Sequence, residues 1–308
     1  MKNLLNRATS SKRLHNLRFG LCLSLVAAAT GFQSDPAQAQ EIMPYEFTPL
    51  PAGTNLALGY YAYGHNTDYR LARGPTLRGS GLETHVGVAR FVHYDEIAGF
   101  RAGYQIYQGF GGLQDARIGG QRLPNTFGAQ NITLSAFLWP YINESSKTAI
   151  ILVGFLNPPT GSYDPFAPLN LGDNRVRGTV QGGLQQGFGN HLSLDIAYDA
   201  QFYGDNDRAF PGTSLLRQGT THRLQTWLNW RWNPSFNTSI GYTGIWGGEQ
   251  RLNGVLNGAR TEIQRIRFQT GYFFDPTLQV ALELNHDLQA TGGFKQDFGA
   301  VFRILKAF

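Results

Sequence analysis

Residues that alternate between apolar and polar over about a dozen short segments predict an all-β protein. The expected form is a closed antiparallel transmembrane β-barrel of about 12 strands, with short turns on the periplasmic side and long loops outside. Three observations carry this. The segment Phe294 to Phe308 places Phe294, Phe298, Ala300, Phe302, Ile304 and Phe308 on one parity, and Lys295, Asp297, Gly299 and Arg303 on the other. In a strand, that separates an apolar face from a polar one. The chain also begins with an export leader. Finally, only 15% of the 308 residues are charged, yet the longest apolar run after the leader is about 149–155, far short of the roughly 20 residues a spanning helix needs. A chain bound for lipid without such helices must satisfy its backbone hydrogen bonds by closing into a barrel.

The amino terminus comes first. Lys2, Arg7, Lys12, Arg13 and Arg18 form a basic segment, 19–31 is apolar, and Ala37-Gln38-Ala39 is a small-x-small cleavage site. The chain therefore divides into a signal peptide, 1–39, and a barrel domain, 40–308, with the mature protein starting at Gln40. Of the overall net charge of +5, the leader supplies four, leaving the mature chain near +1. Its arginines are spread singly along the alternating segments, which excludes a nucleic-acid stripe. The single cysteine, Cys22, lies in the leader, so the mature chain has no disulfide, thiolate nucleophile or cysteine metal site. No cofactor or metal is expected.

Twelve strands are predicted, near 54–64, 82–94, 97–108, 131–142, 146–157, 174–188, 191–204, 220–233, 236–247, 261–274, 277–289 and 294–308. Tight turns are expected at Tyr94-Asp95-Glu96, Asn143 to Ser146, Gly189-Asn190, Asn233-Pro234-Ser235 and Asp275-Pro276. The longer glycine- and proline-rich segments between the other pairs face outside. An even strand count puts both termini in the periplasm. In the seventh strand Leu192, Leu194, Ile196, Tyr198, Ala200 and Phe202 are expected on lipid, opposite Ser193, Asp195, Asp199 and Gln201. In the eleventh, Leu278, Val280, Leu282, Leu284 and Leu288 oppose Gln279, Glu283, Asn285 and Asp287. The second strand breaks the pattern, because Val86, Val88 and Val92 share parity with Arg90; a bulge or an interfacial position for Arg90 would account for it. Trp139, Tyr141, Trp230, Trp232, Tyr272 and Phe308 fit a turn-side aromatic girdle, and Tyr60, Tyr104, Phe202, Tyr242 and Trp246 a loop-side one; ordinary strand propensity of aromatic residues is the alternative. Outer-membrane lipid is the expected surrounding, with the assembly machinery for barrels engaging the carboxy-terminal strand at Phe308.

Several motifs run through the mature chain in order: Phe47-Thr48-Pro49-Leu50-Pro51-Ala52-Gly53-Thr54-Asn55, the stretch Thr84 to Ala102, Pro159-Thr160-Gly161-Ser162-Tyr163-Asp164, Leu169 to Arg175, Phe202-Tyr203-Gly204-Asp205-Asn206-Asp207 and Trp246-Gly247-Gly248-Glu249. Together they resemble the outer-membrane transporter family of the phenol meta-pathway (MetA-pathway of phenol degradation). The resemblance implies a barrel associated with catabolism of aromatic compounds, and offers no catalytic residues to carry over.

The parities line the lumen with Arg101, Arg175, Arg177, Arg223, Arg231, Arg265, Arg267, Lys295 and Arg303 and with Asp195, Asp199, Glu283, Asp287 and Asp297. A twelve-stranded barrel encloses more volume than the eight-stranded kind that side chains just fill. Such a wall suits a polar track for passive uptake of small organic molecules, including aromatic acids whose carboxylates pair with guanidinium. The alternative is a structural or adhesive barrel whose opposite charges pair into a network that plugs it. The segment from Leu156 to Asn174, partly apolar through Pro158, Pro159, Tyr163, Phe166, Pro168 and Leu169, either narrows the barrel mouth or forms a compact external cap. A barrel hydrolase is the remaining class; His65, His85, His93, His191, His222 and His286 are scattered singly, without the spacing of a metal site or triad, and no enzyme is expected.

Overall fold

The computed structural model describes residues 41–308. The expected leader, its cleavage point and Cys22 lie outside the described residues.

Twelve long strands follow one another around a barrel: β1 (Asn55–Arg70), β2 (Thr76–Ile97), β3 (Phe100–Ile118), β4 (Thr133–Asn143), β5 (Thr148–Asn157), β6 (Arg177–Phe188), β7 (Leu192–Tyr203), β8 (Thr221–Arg231), β9 (Phe236–Gly247), β10 (Thr261–Asp275), β11 (Leu278–Thr291) and β12 (Gly293–Ala307). Each pairs antiparallel with its sequence neighbour, and β1 pairs with β12 in the register Tyr61↔Phe302, which closes the cylinder. Closure leaves no free strand edge, the condition for placing a sheet in hydrocarbon. Leu282, Leu284, Leu288, Phe302 and Ile304 are exposed on the outside, with Tyr198 and Phe202, as the alternation requires.

The connections differ from expectation at two places: β11 and β12 are joined outside by Gly292 alone rather than by a long loop, and one short turn is shifted. Pairing between β2 and β3 continues past Asp95 and Glu96 to Ile97↔Phe100, so the turn is Ala98-Gly99, both at positive φ (52° and 82°). Two positive-φ residues make the hairpin turn whose twist suits the flanking strands, and glycine adopts that backbone without strain. On the opposite side, β1, β2 and β3 run further than the alternation indicates and stand above the barrel as a rim. A second small sheet, built from Asn206–Ala209, Ser214–Gln218, Gln250–Leu252 and Val255–Leu256, lies over that end. The loop 158–176 folds inward. Leu169 and Leu171 are buried with Tyr69, Leu82, Leu113 and Phe294 on the inner side of the rim, and Gly161 packs directly on the backbone of Gly172. The loop is both compact and laid across the mouth.

Three parity assignments are corrected. In β12 the register slips between His65↔Phe298 and Asn66↔Gln296, so Asp297 and Phe298 both point outward. That bulge turns Phe294 into the barrel, where it meets Tyr69 edge-on at 5.1 Å. In β4 the register slips between Leu138 and Tyr141, at Pro140, which cannot donate to the ladder. Trp139 keeps the inward parity of Thr133, Ser135 and Phe137 and is buried inside rather than set in a girdle, whereas the slip turns Tyr141 outward, and Trp230, Trp232, Tyr272 and Phe308 are likewise exposed on the outside. In β2 there is no bulge beside Arg90: the pairing with β1 is continuous there, and Val86, Val88 and Val92 are all buried inside the barrel. Tyr60 also faces inward, accepting a hydrogen bond from Arg90 (3.1 Å).

Candidate functional site

The barrel holds a piece of its own chain. Residues 41–50, which precede β1, enter the lumen and are tied to both walls. The Trp227 indole N–H donates to the Ile42 carbonyl (2.9 Å) and the Trp139 indole N–H to the Phe47 carbonyl (3.0 Å). The Ile42 N–H donates to Gln225 (3.0 Å) and the Tyr45 N–H to Asp195 (2.9 Å). Glu46 pairs with Arg90, and the Arg101 guanidinium donates to the Leu50 carbonyl. A segment with few backbone bonds of its own thus has its polar groups met by the wall, as burial demands.

The inner wall has two unlike halves. From β1 to β5 it is largely apolar: Leu56, Leu58, Val86, Val88, Val92, Tyr94, Tyr107, Phe137, Trp139, Ile151, Val153 and Phe155 form one buried cluster with Ile42 and Phe47. This explains the inverted parity of β2. Its valines belong inside because Phe47 and Ile42 supply an apolar partner there. From β6 to β12 the wall is charged. Arg267 grips Glu283 with two parallel contacts (2.8 and 2.9 Å), lies over the Trp227 ring at 4.5 Å and reaches Glu41 at 3.4 Å. Arg265 joins Asp287 (2.7 Å) to Glu41 (3.5 Å), and Arg223 pairs with Asp199 (3.0 Å). Burial alone would raise the Glu41 carboxyl, but Arg267, Arg265 and Arg223 outweigh it and hold the group below its ordinary value.

The residues expected on the lumen fall into three groups. Arg223, Arg265, Arg267, Asp195, Asp199, Glu283, Asp287 and Arg303 face inward on the charged half; Asp195 accepts from Gln185 and Asn229, and Arg303 donates to Gln279 (2.6 Å). Arg175 and Arg177 lie at the external end, sharing Asp173 at 3.5 and 3.0 Å. Arg101 and Arg231 lie at the turn-side end, Arg231 exposed and stacked over the Tyr45 ring at 5.2 Å. Asp297 is not on the lumen. The β12 bulge puts it outside, where it meets Lys295 and His286, each at 3.9 Å, and Lys295 leaves the inner wall with it. Among the described residues, His191 lies in the turn before β7, and His65, His85, His93, His222 and His286 lie on the outer wall. His85 and His222 bond there to Tyr61 and Tyr198, each at 2.8 Å.

Sequence reasoning missed Glu41, Glu46, Arg90 and the two clamping tryptophans. A signal existed in Tyr45, Phe47, Pro49 and Pro51, a partly apolar stretch just before the first strand that has no partner unless it is buried.

Above the segment, a cavity of about 160 Å³ opens under the external loops, with Glu41, Arg265 and Asp287 toward its floor. Below it, a second cavity of about 30 Å³ lies between the segment and the apolar wall. Residues 41–50 thus occupy the lumen between the two halves of its wall.

The family model described as "Putative MetA-pathway of phenol degradation" matches residues 64–304. Among solved structures, an outer membrane channel from Pseudomonas putida F1 is 26% identical, aligns over 87% of this chain and 100% of its own, and superposes with a TM-score of 0.83. The transport unit of the autotransporter AIDA-I from Escherichia coli, 11% identical over 92% of this chain and 98% of its own with a TM-score of 0.51, shares the fold alone. No curated protein matches the chain by sequence.

Proposed function

Because the chain belongs to the family described as the putative MetA-pathway of phenol degradation and is an outer-membrane barrel of channel type, we infer that it admits small organic molecules, single-ring aromatic compounds among them, by passive diffusion. The observation that carries this reading is the divided inner wall. An aromatic ring bearing a polar group finds apolar surface on the β1–β5 side, at Val88, Ile151 and Phe155, and hydrogen-bonding groups on the β6–β12 side. Neither a uniformly charged nor a uniformly apolar lumen offers both.

Passage then depends on the segment 41–50. Its anchors are a few hydrogen bonds and the Glu41 and Glu46 ion pairs, with no disulfide or strand pairing, so it can withdraw while the closed barrel stays intact. Arg223, Arg265, Arg267, Asp195, Asp199, Glu283 and Asp287 form the polar side of the path in this reading, with Arg175 and Arg177 above and Arg101, Arg231 and Arg303 near the periplasmic end. Planar-bilayer conductance and liposome uptake of phenol, benzoate and sugars test it. Full-length protein is expected to conduct weakly, and a variant lacking 41–50 several-fold more. Equal silence from both overturns the channel reading.

A second reading has its own support. Most inner-wall arginines are already matched to a carboxylate, as in a barrel braced and shut by charge pairs. Silence in both assays, with the folded barrel intact, is its signature.

A further inference from the structure

The external cavity contains one cation that the ion-pair network does not use. Arg260 lies on the loop just before β10 and lines the cavity, half-buried. Among the described residues its guanidinium has neither a carboxylate nor a hydrogen-bond acceptor. Arg265, deeper in the same cavity, is by contrast held between Asp287 and Glu41. The position of Arg260 is fixed by its backbone. Gly292, the single-residue link between β11 and β12, sits at φ +80°, and a Cβ there would lie 1.5 Å from the Arg260 carbonyl oxygen. Only glycine lets the hairpin close this tightly on Arg260.

The rest of the cavity is two-sided. Leu82, Val86, Ile245, Ile263 and Phe294 give it apolar surface, and Gln218 and Gln250 stand among its polar groups. Its volume, about 160 Å³, matches the roughly 150 Å³ known to accommodate one benzene molecule in an apolar protein cavity. A half-buried guanidinium without a partner is costly, and the group that satisfies it best is a carboxylate, which accepts two parallel N–H donors.

We propose that this cavity is a binding site for single-ring aromatic carboxylates, with the ring against Ile245, Ile263 and Phe294 and the carboxylate on Arg260. The site is the external entry of the solute path, so it rests on the channel reading and sharpens it: the preferred solute is an aromatic anion rather than a neutral phenol. Arg223, Arg265 and Arg267, deeper in the lumen, are engaged by Glu41, Asp199, Glu283 and Asp287, whereas Arg260 lines the entry cavity with no carboxylate partner among the described residues.

Isothermal titration of benzoate, benzamide and phenol into detergent-solubilised full-length protein tests this, because benzamide keeps the ring and shape and lacks only the charge. Benzoate is expected to bind at least about tenfold more tightly than either neutral compound. Arg260→Gln should erase that preference and Arg260→Lys should retain most of it. Ala290→Phe, which fills the cavity from β11, should abolish binding of all three. Heat-modifiable migration on a gel shows that each variant is folded. Equal affinities for benzoate and benzamide, or an Arg260→Gln protein that still prefers benzoate, overturn the assignment. Liposome flux separates the two readings. Conduction without a benzoate preference removes this site and leaves the channel, whereas benzoate binding through Arg260 without flux supports the site and removes the channel.

Discussion

At Arg267 the forces in the lumen converge: two contacts to Glu283, a second carboxylate in Glu41 and the face of Trp227. Removing one member of a buried ion pair strands the other charge, at a cost of about 3–5 kcal/mol. Arg267→Met is therefore expected to lower stability by about that amount in urea unfolding of the micelle-bound barrel, and Glu283→Gln added to it should restore part. A loss below about 1 kcal/mol in the single variant would mean that water reaches the pair. Glu41 supports a pH prediction. Its carboxyl is held below the ordinary 4.5 by the three arginines, against the upward pull of burial. A depressed carboxyl contributes stability above its free value, and that contribution disappears as pH falls through the lowered one. The segment 41–50 should thus stay docked at neutral pH and loosen only well into the acid range. Conductance should rise on that descent in the native protein, and Glu41→Gln should flatten the rise; identical profiles would remove Glu41 from the latch. Period-two alternation was enough to put Arg267 and Glu283 on the same wall. The third partner comes from residue 41, far away in sequence, and no local pattern joins them.

Each strand has two faces, and the information for them is unevenly distributed. β7 and β11 face lipid on one parity and charge on the other, so they can be read directly. Leu282, exposed toward lipid near the middle of β11, sets the scale for that face: Leu282→Arg is expected to cost about 2–4 kcal/mol if the residue sits at mid-membrane depth. The measurement is unfolding of the protein from liposomes, and a neutral effect would place Leu282 in water. β5 carries apolar residues on both faces, Ile150 and Leu152 outside and Ile151 and Val153 inside, and alternation says nothing about which is which. β4 and β12 change parity at Pro140 and at Asp297-Phe298. A bulge moves a side chain by one face while leaving composition untouched, which is why Phe294 and Asp297 were assigned to the wrong side.

For the molecule as a whole, the pairing of β1 with β12 and the entry of residues 41–50 together decide whether the barrel is a conduit or a closed cylinder. The sequence by itself determined the strand number and order, the lipid-facing residues of β7 and β11, and the charged residues of β6 to β11. Those follow from chain-local rules, because a sheet in hydrocarbon must alternate and must close. Only the tertiary structure decided that the β1–β5 wall is largely apolar inside, that Ile42 and Phe47 pack against it, and that Arg260 has no carboxylate partner among the described residues. These depend on which residues from distant parts of the chain meet across a cavity, and a lumen is bounded by all twelve strands at once. A one-dimensional pattern records which face a residue takes; the free energy of that face is set by whatever the rest of the barrel brings opposite it.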